Sequence, residues 1–267
     1  MRRAGLVVHD ALTAVQAAIK PGVTTYELDR TAAAVIAAAG ARPSFLGYGE
    51  PPFPGVVCAS VNSEVVHGVP GPTVLATGDL VSIDCGAIVE GWHGDAAFTA
   101  VVGGDHAADD RDRALLGVTE EALWQGIAAL RVGGRLGEVA NAIDDHVTDD
   151  PAAGGRPWGL VEGYTGHGIG TAMHEPPEVL NHRSKERGIR VKPGLCVAVE
   201  PMVTAGSAET RELADGWTVV TMDGGRAAHF EHTVAVLHDG LWVLTAPDGG
   251  AERLRALGAK VSSAAAP

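Results

Sequence analysis

A chain of 267 residues with 46% hydrophobic content can bury a large core as one domain or as two tightly fused halves. Its formal net charge of −13 excludes a nucleic-acid binder working by counterion release and a protein adhering to anionic membranes. Three cysteines (Cys58, Cys85, Cys196), without a C-x-x-C pair, fit a reduced cytoplasmic setting, and no apolar run is long enough to span a bilayer.

From the N-terminus, residues 4–20 carry Val8, Leu12, Val15 and Ile19 at helical spacing, ended by Pro21-Gly22. His9 and Asp10 interrupt this stretch, so it does not read as a signal peptide. Thr24 followed by Glu27 is a capping box for a second helix, with Leu28, Ala32, Val35 and Ala39 as its inner face. Residues 40–56 form a long Pro/Gly loop with aromatics, a type that is often functional. Leu80–Cys85 (LVSIDC) and a segment from Trp92 to Val102 then read as the strands of a hairpin, with Glu90-Gly91 as the turn signal. Two more helices are expected over 109–131 and 136–149, then an irregular stretch from Asp149 to Gly163. His182–Lys192 is a basic, solvated loop. Strands follow near Leu195–Glu200, Trp217–Met222 and Glu231–Leu237. Residues 1–249 are expected to form one domain, and the Ala-rich tail over 250–267 looks expendable.

The hairpin organises the rest. With Val89 and Glu90 as the turn, Gly86 pairs with His93 and Asp84 with Asp95, so two carboxylates meet on one face. Like charges there repel unless a cation or a shared proton lies between them. A one-residue slip would send them to opposite faces. A faint repeat points the same way. Lys20–Leu28 resembles Arg131–Val139, and Thr77–Asp84 echoes Pro193–Glu200, which makes Asp84 and Glu200 equivalent in two pseudo-symmetric halves.

Further candidates join the two aspartates. Tyr164–Pro177 (YTGHGIGTAMHEPP) sets His167 and His174 among glycines that let backbone approach closely. Glu200-Pro201 ends a strand at a rim, because proline cannot continue the ladder. Glu231-His232 opens another strand, and His67 sits in VVHGVP before the hairpin. A lone histidine or a strand-end glutamate is ordinarily structural. The coincidence of all of them is not.

In order along the chain, HGVP, SIDCGA, WHGDAAFT, TGHGIG, HEPP, AVEPM and FEHTV resemble the motif set of the type I methionine aminopeptidases, from about Arg2 to Asp239. The resemblance implies the pita-bread α/β (α+β) fold: two pseudo-symmetric halves, a central antiparallel sheet and helices outside. It implies Asp84, Asp95, His167, Glu200 and Glu231 as ligands of two divalent metal ions. Asp95 and Glu231 would bridge, Asp84 would hold one ion, and His167 with Glu200 the other. Such an oxygen-rich set with one nitrogen suits Co, Mn, Fe(II) or Zn. Two metals ~3.5–4 Å apart act together as Lewis acid and hydroxide generator. Cys85 needs no role as a ligand, since alternation points it away from Asp84.

By the same resemblance Glu200 accepts the proton of the attacking water, His174 steadies the tetrahedral intermediate and His67 contacts the scissile amide or its neighbour. Phe53, Cys58, Met173 and Trp217 fall where the family lines its methionine pocket, although the loop around Tyr48–Pro54 is longer than the family pattern. The expected activity is removal of N-terminal methionine from nascent polypeptides when the second residue is small. The enzyme would be a cytoplasmic monomer, off the membrane. With no extension ahead of the first helix, any transient ribosome contact would use the catalytic domain. Rival readings are an Xaa-Pro aminopeptidase or prolidase, whose large additional N-terminal domain has no room here, and a non-catalytic pita-bread protein, which tends to lose metal ligands that this chain keeps.

Overall fold

In the computed structural model, which describes residues 1–265, the first helix α1 (Arg2–Ala18) buries Val8, Ala11, Leu12 and Val15 as one stripe. It stops ahead of Pro21-Gly22 as expected. The next helix α2 (Thr25–Ala38) opens with the full capping box: Glu27 N–H donates to the Thr24 hydroxyl, and Thr24 N–H donates back to the Glu27 carboxylate. Its buried stripe runs through Leu28, Ala32 and Ile36, at strict one-turn spacing. Val35 is only half-buried and Ala39 lies exposed beyond the last turn, so the stripe is rotated from the expected one.

The second helix pair repeats this plan. α3 (Asp110–Ala129) is capped by the Asp109 side chain and buries Leu115, Val118, Leu123 and Ile127. α4 (Gly137–Thr148) buries Val139, Ala140, Ile143 and Val147. Between α4 and the next long strand the chain is irregular, with one short 3-10 turn at Pro151–Ala153 and a two-residue strand at Gly159–Leu160.

Both helix pairs cover one face of a nine-stranded antiparallel sheet. Its central path runs Arg42–Pro43, Leu80–Val89, Trp92–Val101, Glu231–Leu237, Cys196–Val199, Gly166–Gly168 and Glu175–Val179. Val57–Val61 adds to Leu80–Val89, and Gly240–Val243 adds to Glu231–Leu237. Alternation decides which side chains face the helices. Val81, Ile83, Cys85 and Ala87 join the cluster under α1 and α2, while Val197, Val199, Val234 and Val236 join the one under α3 and α4. Asp84, Glu200 and Glu231 have the opposite parity and are left on the concave side.

The hairpin turn falls one residue later than expected. Glu90 and Gly91 both adopt positive φ, 52° and 83°, the type I′ pair that matches the twist of the strands. Val89 therefore faces Trp92, Asp84 faces Ala97, and Gly86 faces Asp95. The pairing moves by two positions in total, so parity is kept: Asp84 and Asp95 share a face as diagonal neighbours rather than as a direct pair.

Residues 251–265 of the tail pack against the domain. α5 (Ala251–Ala256) buries Leu254 completely in the core under α3, Arg253 pairs with Glu121, and Ser262 and Ser263 donate to the Asp239 carboxylate. Six residues are too few to display a helical period. Alanine content alone therefore gave no sign of this packing.

Candidate metal centre

The register of the sheet assembles the site. Cys58 faces Asp84, Asp84 faces Ala97 and Ala97 faces Glu231, so one transverse row crosses the concave face. Asp95 stands two residues from Ala97 on that face. Val199 pairs with His232, and the same register one step further sets Glu200 opposite Glu231. Ala97, the small member of the row, leaves the space between the acids open.

His167 comes from the short strand Gly166–Gly168, whose glycines are required by close approach. A Cβ on Gly166 would sit 2.3 Å from the Ala198 carbonyl oxygen, and one on Gly168 2.3 Å from that of Pro176. The His167 Nδ1 lies 2.9 Å from the Gly168 carbonyl, which can only accept. The ring proton is therefore on Nδ1, and Nε2 offers its lone pair toward Glu200, 3.4 Å from Oε1. Burial, then the neighbouring His174, lowers the His167 pKa to about 4, so the ring is neutral at physiological pH.

Four carboxylates share this small buried volume. Burial first, then mutual repulsion, pushes Asp84, Glu200 and Glu231 well above the carboxylate range. Asp95 rises to about 7 through burial and is partly rescued by a hydrogen bond from Asp84. Asp84 Oδ1, Asp95 Oδ1 and Glu231 Oε1 are buried without any hydrogen-bond partner. Among the described residues no lysine or arginine ion pair reaches the four acids. Unpartnered oxygens and uncompensated charge in one place are what divalent cations would satisfy. Asp95, His167 and Glu231 offer donor atoms within 4.8 Å of one another, and so do Glu200, His229 and Glu231. The donor set fits the metal ions expected from the sequence.

His229 was not expected from the sequence. It ends the strand Ala227–His229, is buried, and points an unpartnered Nε2 at Glu200 and Glu231, 3.9 Å from each. Its parity with Glu231 was the available signal, two residues away in A-A-H-F-E-H.

The expected pocket residues meet around the acids. One cavity is lined by all five donors and by His67, His174, Phe53, Cys58, Met173 and Trp217. Phe45 and Tyr48 join them, and Phe45, Phe53, Cys58 and Met173 form an apolar cluster with Trp217 against it. Phe45 gave no sequence signal beyond lying in the Pro/Gly loop. Cys58 is fixed by its register opposite Asp84. Trp217 follows an Asp215 turn in which the carboxylate accepts from Trp217 and Thr218 N–H, and its ring meets Phe53 edge to face at 5.2 Å. His67 has φ 57°, an uncommon conformation that aims its ring at the pocket between Tyr164 and Trp217. Burial, then His174, lowers its pKa to about 4. His174 stands at the mouth, its ring 4.3 Å from that of His167. A wider cleft between α1 and α3, lined by His9, Gln16, Glu120 and Trp124, opens on the other side of the sheet, away from all five donors.

Comparison with known proteins agrees with this geometry. Residues 1–238 match the profile of metallopeptidase family M24. The chain is 51% identical over 246 residues to methionine aminopeptidase 1 of Mycobacterium tuberculosis, covering 92% of this chain and 91% of that protein. It is 45% identical over 245 residues to methionine aminopeptidase 1 of Bacillus subtilis, covering 92% and 94%. The crystal structure of methionine aminopeptidase from Thermotoga maritima superposes with a TM-score of 0.85 at 37% identity, covering 92% of this chain and 94% of that one. Prolidase from Pyrococcus furiosus superposes with a TM-score of 0.71 at 20% identity, a likeness of fold that covers 92% of this chain and 62% of the prolidase. The pita-bread fold read from the sequence is the fold these structures share.

Proposed function

The chain belongs to metallopeptidase family M24, and from that premise we propose that it is a metal-dependent aminopeptidase that releases methionine from peptide N-termini. The observation that carries the reading is the row of four buried, uncompensated carboxylates with neutral His167, opening into an apolar slot.

Asp84, Asp95, His167, Glu200 and Glu231 would hold two divalent cations, with His229 facing Glu200 and Glu231 from beneath. Bound there, such cations would neutralise the acids and make a nearby water more acidic. Glu200 accepts the proton of the attacking water; its position one register step beyond the strand end leaves it free to do so. His174 donates toward the oxygen that gains charge during attack, and His67 contacts the scissile amide from the other wall. The slot of Phe45, Phe53, Cys58, Met173 and Trp217 suits a long unbranched side chain, with the soft sulfurs of Met173 and Cys58 and the Trp217 ring beside a thioether. Crowding between this slot, His67 and His174 supports a preference for a small second residue.

Among the described residues no helix is long and apolar enough to cross a membrane. The finer reading is of a cytoplasmic monomer meeting nascent chains, with transient contact to the ribosome. The three free thiols support its cytoplasmic part.

The test is turnover of Met-Ala-Ser, Ala-Ala-Ser and Met-Pro-Ser by protein stripped with chelator and then restored with Co, Mn, Fe(II) or Zn. Expected are loss and recovery with metal, and kcat/KM highest for Met-Ala-Ser. Equal rates for Met-Ala-Ser and Ala-Ala-Ser, or preference for proline in second position, would move the protein to the proline-directed branch of the fold. Full activity after proven metal removal would overturn the reading altogether.

A further inference from the structure

The mouth of the pocket contains a contact to which the chemistry above gives no role. Tyr48 Oη lies 2.6 Å from His174 Nδ1, and the two rings meet edge to face with centroids 5.3 Å apart. Tyr48 belongs to the Pro/Gly loop, far in sequence from His174. A loose loop would make such a contact accidental, but this loop is tied at both levels.

Within the loop, Tyr48 N–H donates to the Phe45 carbonyl, Gly47 N–H to that of Phe53, and Phe53 N–H to that of Tyr48, each at 2.8 Å. Trp217 then fastens it to the pocket wall. Its indole N–H donates to the Pro51 carbonyl at 2.9 Å. Its ring is seated on Gly49, where a Cβ would stand 2.4 Å from a ring carbon and where φ is 74°. The Glu50-Pro51-Pro52 stretch of the loop supplies the carbonyl that Trp217 holds. Tyr48 is thus held at a fixed height above His174 by two separate sets of contacts.

The direction of the Tyr48–His174 bond follows from the groups. A phenol is a strong donor, and a neutral imidazole has one nitrogen with a free lone pair. The phenol O–H is far more acidic than the N–H of a neutral imidazole, so the favoured arrangement directs the phenol proton at the ring nitrogen 2.6 Å away. The hydroxyl therefore donates to Nδ1, and the ring proton is on Nε2.

We infer that Tyr48 is a positioning residue: its hydroxyl holds the His174 ring in the Nε2–H tautomer and in one orientation, so that Nε2–H is the donor presented to the substrate. The inference rests on the reading of His174 as the group that donates to the reacting carbonyl. A group that orients a donor used in the transition state should act on kcat and leave KM largely alone.

Tyr48→Phe keeps the ring and removes the hydroxyl. For Met-Ala-Ser it should lower kcat about three- to tenfold, the size of one neutral hydrogen bond, with KM nearly unchanged. Melting temperature and calorimetric metal affinity should match the wild type. In a His174→Ala background the same substitution should have no further effect, because its target is gone. Nitrogen-15 NMR of histidine-labelled protein should show His174 as the Nε2–H tautomer in wild type, with the Nδ1 resonance displaced in Tyr48→Phe. An Nδ1–H tautomer in the wild type would overturn the inference, and so would an equal effect of Tyr48→Phe in both backgrounds or a change confined to KM. If the wild type failed to cleave Met-Ala-Ser, the functional reading would fall, while the tautomer measurement would still decide the contact itself.

Discussion

The floor of the pocket comes from adjacent strands of one sheet, whereas its mouth comes from loops far apart in sequence. On the floor, pairing register sets Asp84, Ala97, Glu231 and Glu200 in a row, and helices packed on the far side hold that register. At the mouth, Tyr48, Phe53, His67, His174 and Trp217 are placed by turn geometry and by contacts with one another. The floor concentrates charge that the protein itself leaves uncompensated. The mouth is largely neutral and works by shape and by single hydrogen bonds. Changes to the floor should therefore disturb metal, activity and stability together, and changes at the mouth should disturb activity alone.

Glu231→Ala should have the largest effect, since Glu231 shares its carboxylate between both candidate groups of donors. Activity should fall to background and calorimetric metal affinity should drop; a variant that keeps both would break the distinction at its strongest point. Glu200→Gln keeps an oxygen donor but cannot accept a proton, so kcat should fall by roughly 10²–10⁴. Near-native kcat with metal bound would show that the proton acceptor lies elsewhere.

At the mouth, His174→Ala should lower kcat by roughly 10²–10³, the cost of removing one donor to a developing oxyanion, while metal stoichiometry stays intact. Collapse of metal binding in this variant would move His174 to the floor. Met173→Ala enlarges the slot and should lower kcat/KM for Met-Ala-Ser roughly tenfold, as expected for a partly emptied apolar pocket. N-terminal norleucine should be accepted moderately well by the wild type.

The smallest effect is thermal and belongs to the floor. Asp84, Asp95, Glu200 and Glu231 all have folded-state pKa values raised by burial, so without metal the folded state binds more protons than the unfolded one. The acids' contribution to stability then falls as pH rises from the ordinary carboxylate range through Asp95's value of about 7. The buried His67 and His167, with pKa values of about 4, contribute in the opposite sense below the ordinary histidine value. Chelated protein should melt several degrees lower at pH 9 than at pH 7, above the range in which the histidines titrate, given ~2–4 °C per kcal/mol for a chain near this size. Saturating divalent metal should remove most of that difference. A flat profile in the chelated protein would mean that the acids are not desolvated as the geometry requires.

By itself the sequence determined the helix pairs, the hairpin and the acids, because each is written in local pattern. Apolar residues at one-turn spacing marked α1 and α2, the Thr24–Glu27 box marked the start of α2, and alternation through LVSIDC separated Asp84 from Cys85. Parity survived even where the turn did not. Moving it to Glu90-Gly91 changed every partner in the hairpin and left both aspartates on the concave face. Tertiary structure alone decided the rest. His229 shares its parity with Glu231, yet only the packing of the Ala227–His229 strand beneath the sheet brings its Nε2 to two carboxylates. Phe45 and Tyr48 sit in a loop without periodicity, and Trp217, from the other half of the chain, fixes where that loop lies. Leu254 is one leucine in an alanine-rich tail until α3 supplies the surface that buries it. A local pattern records which way a residue faces within its own element. Which residues of other elements it meets depends on long-range closure, and no short window of sequence carries that.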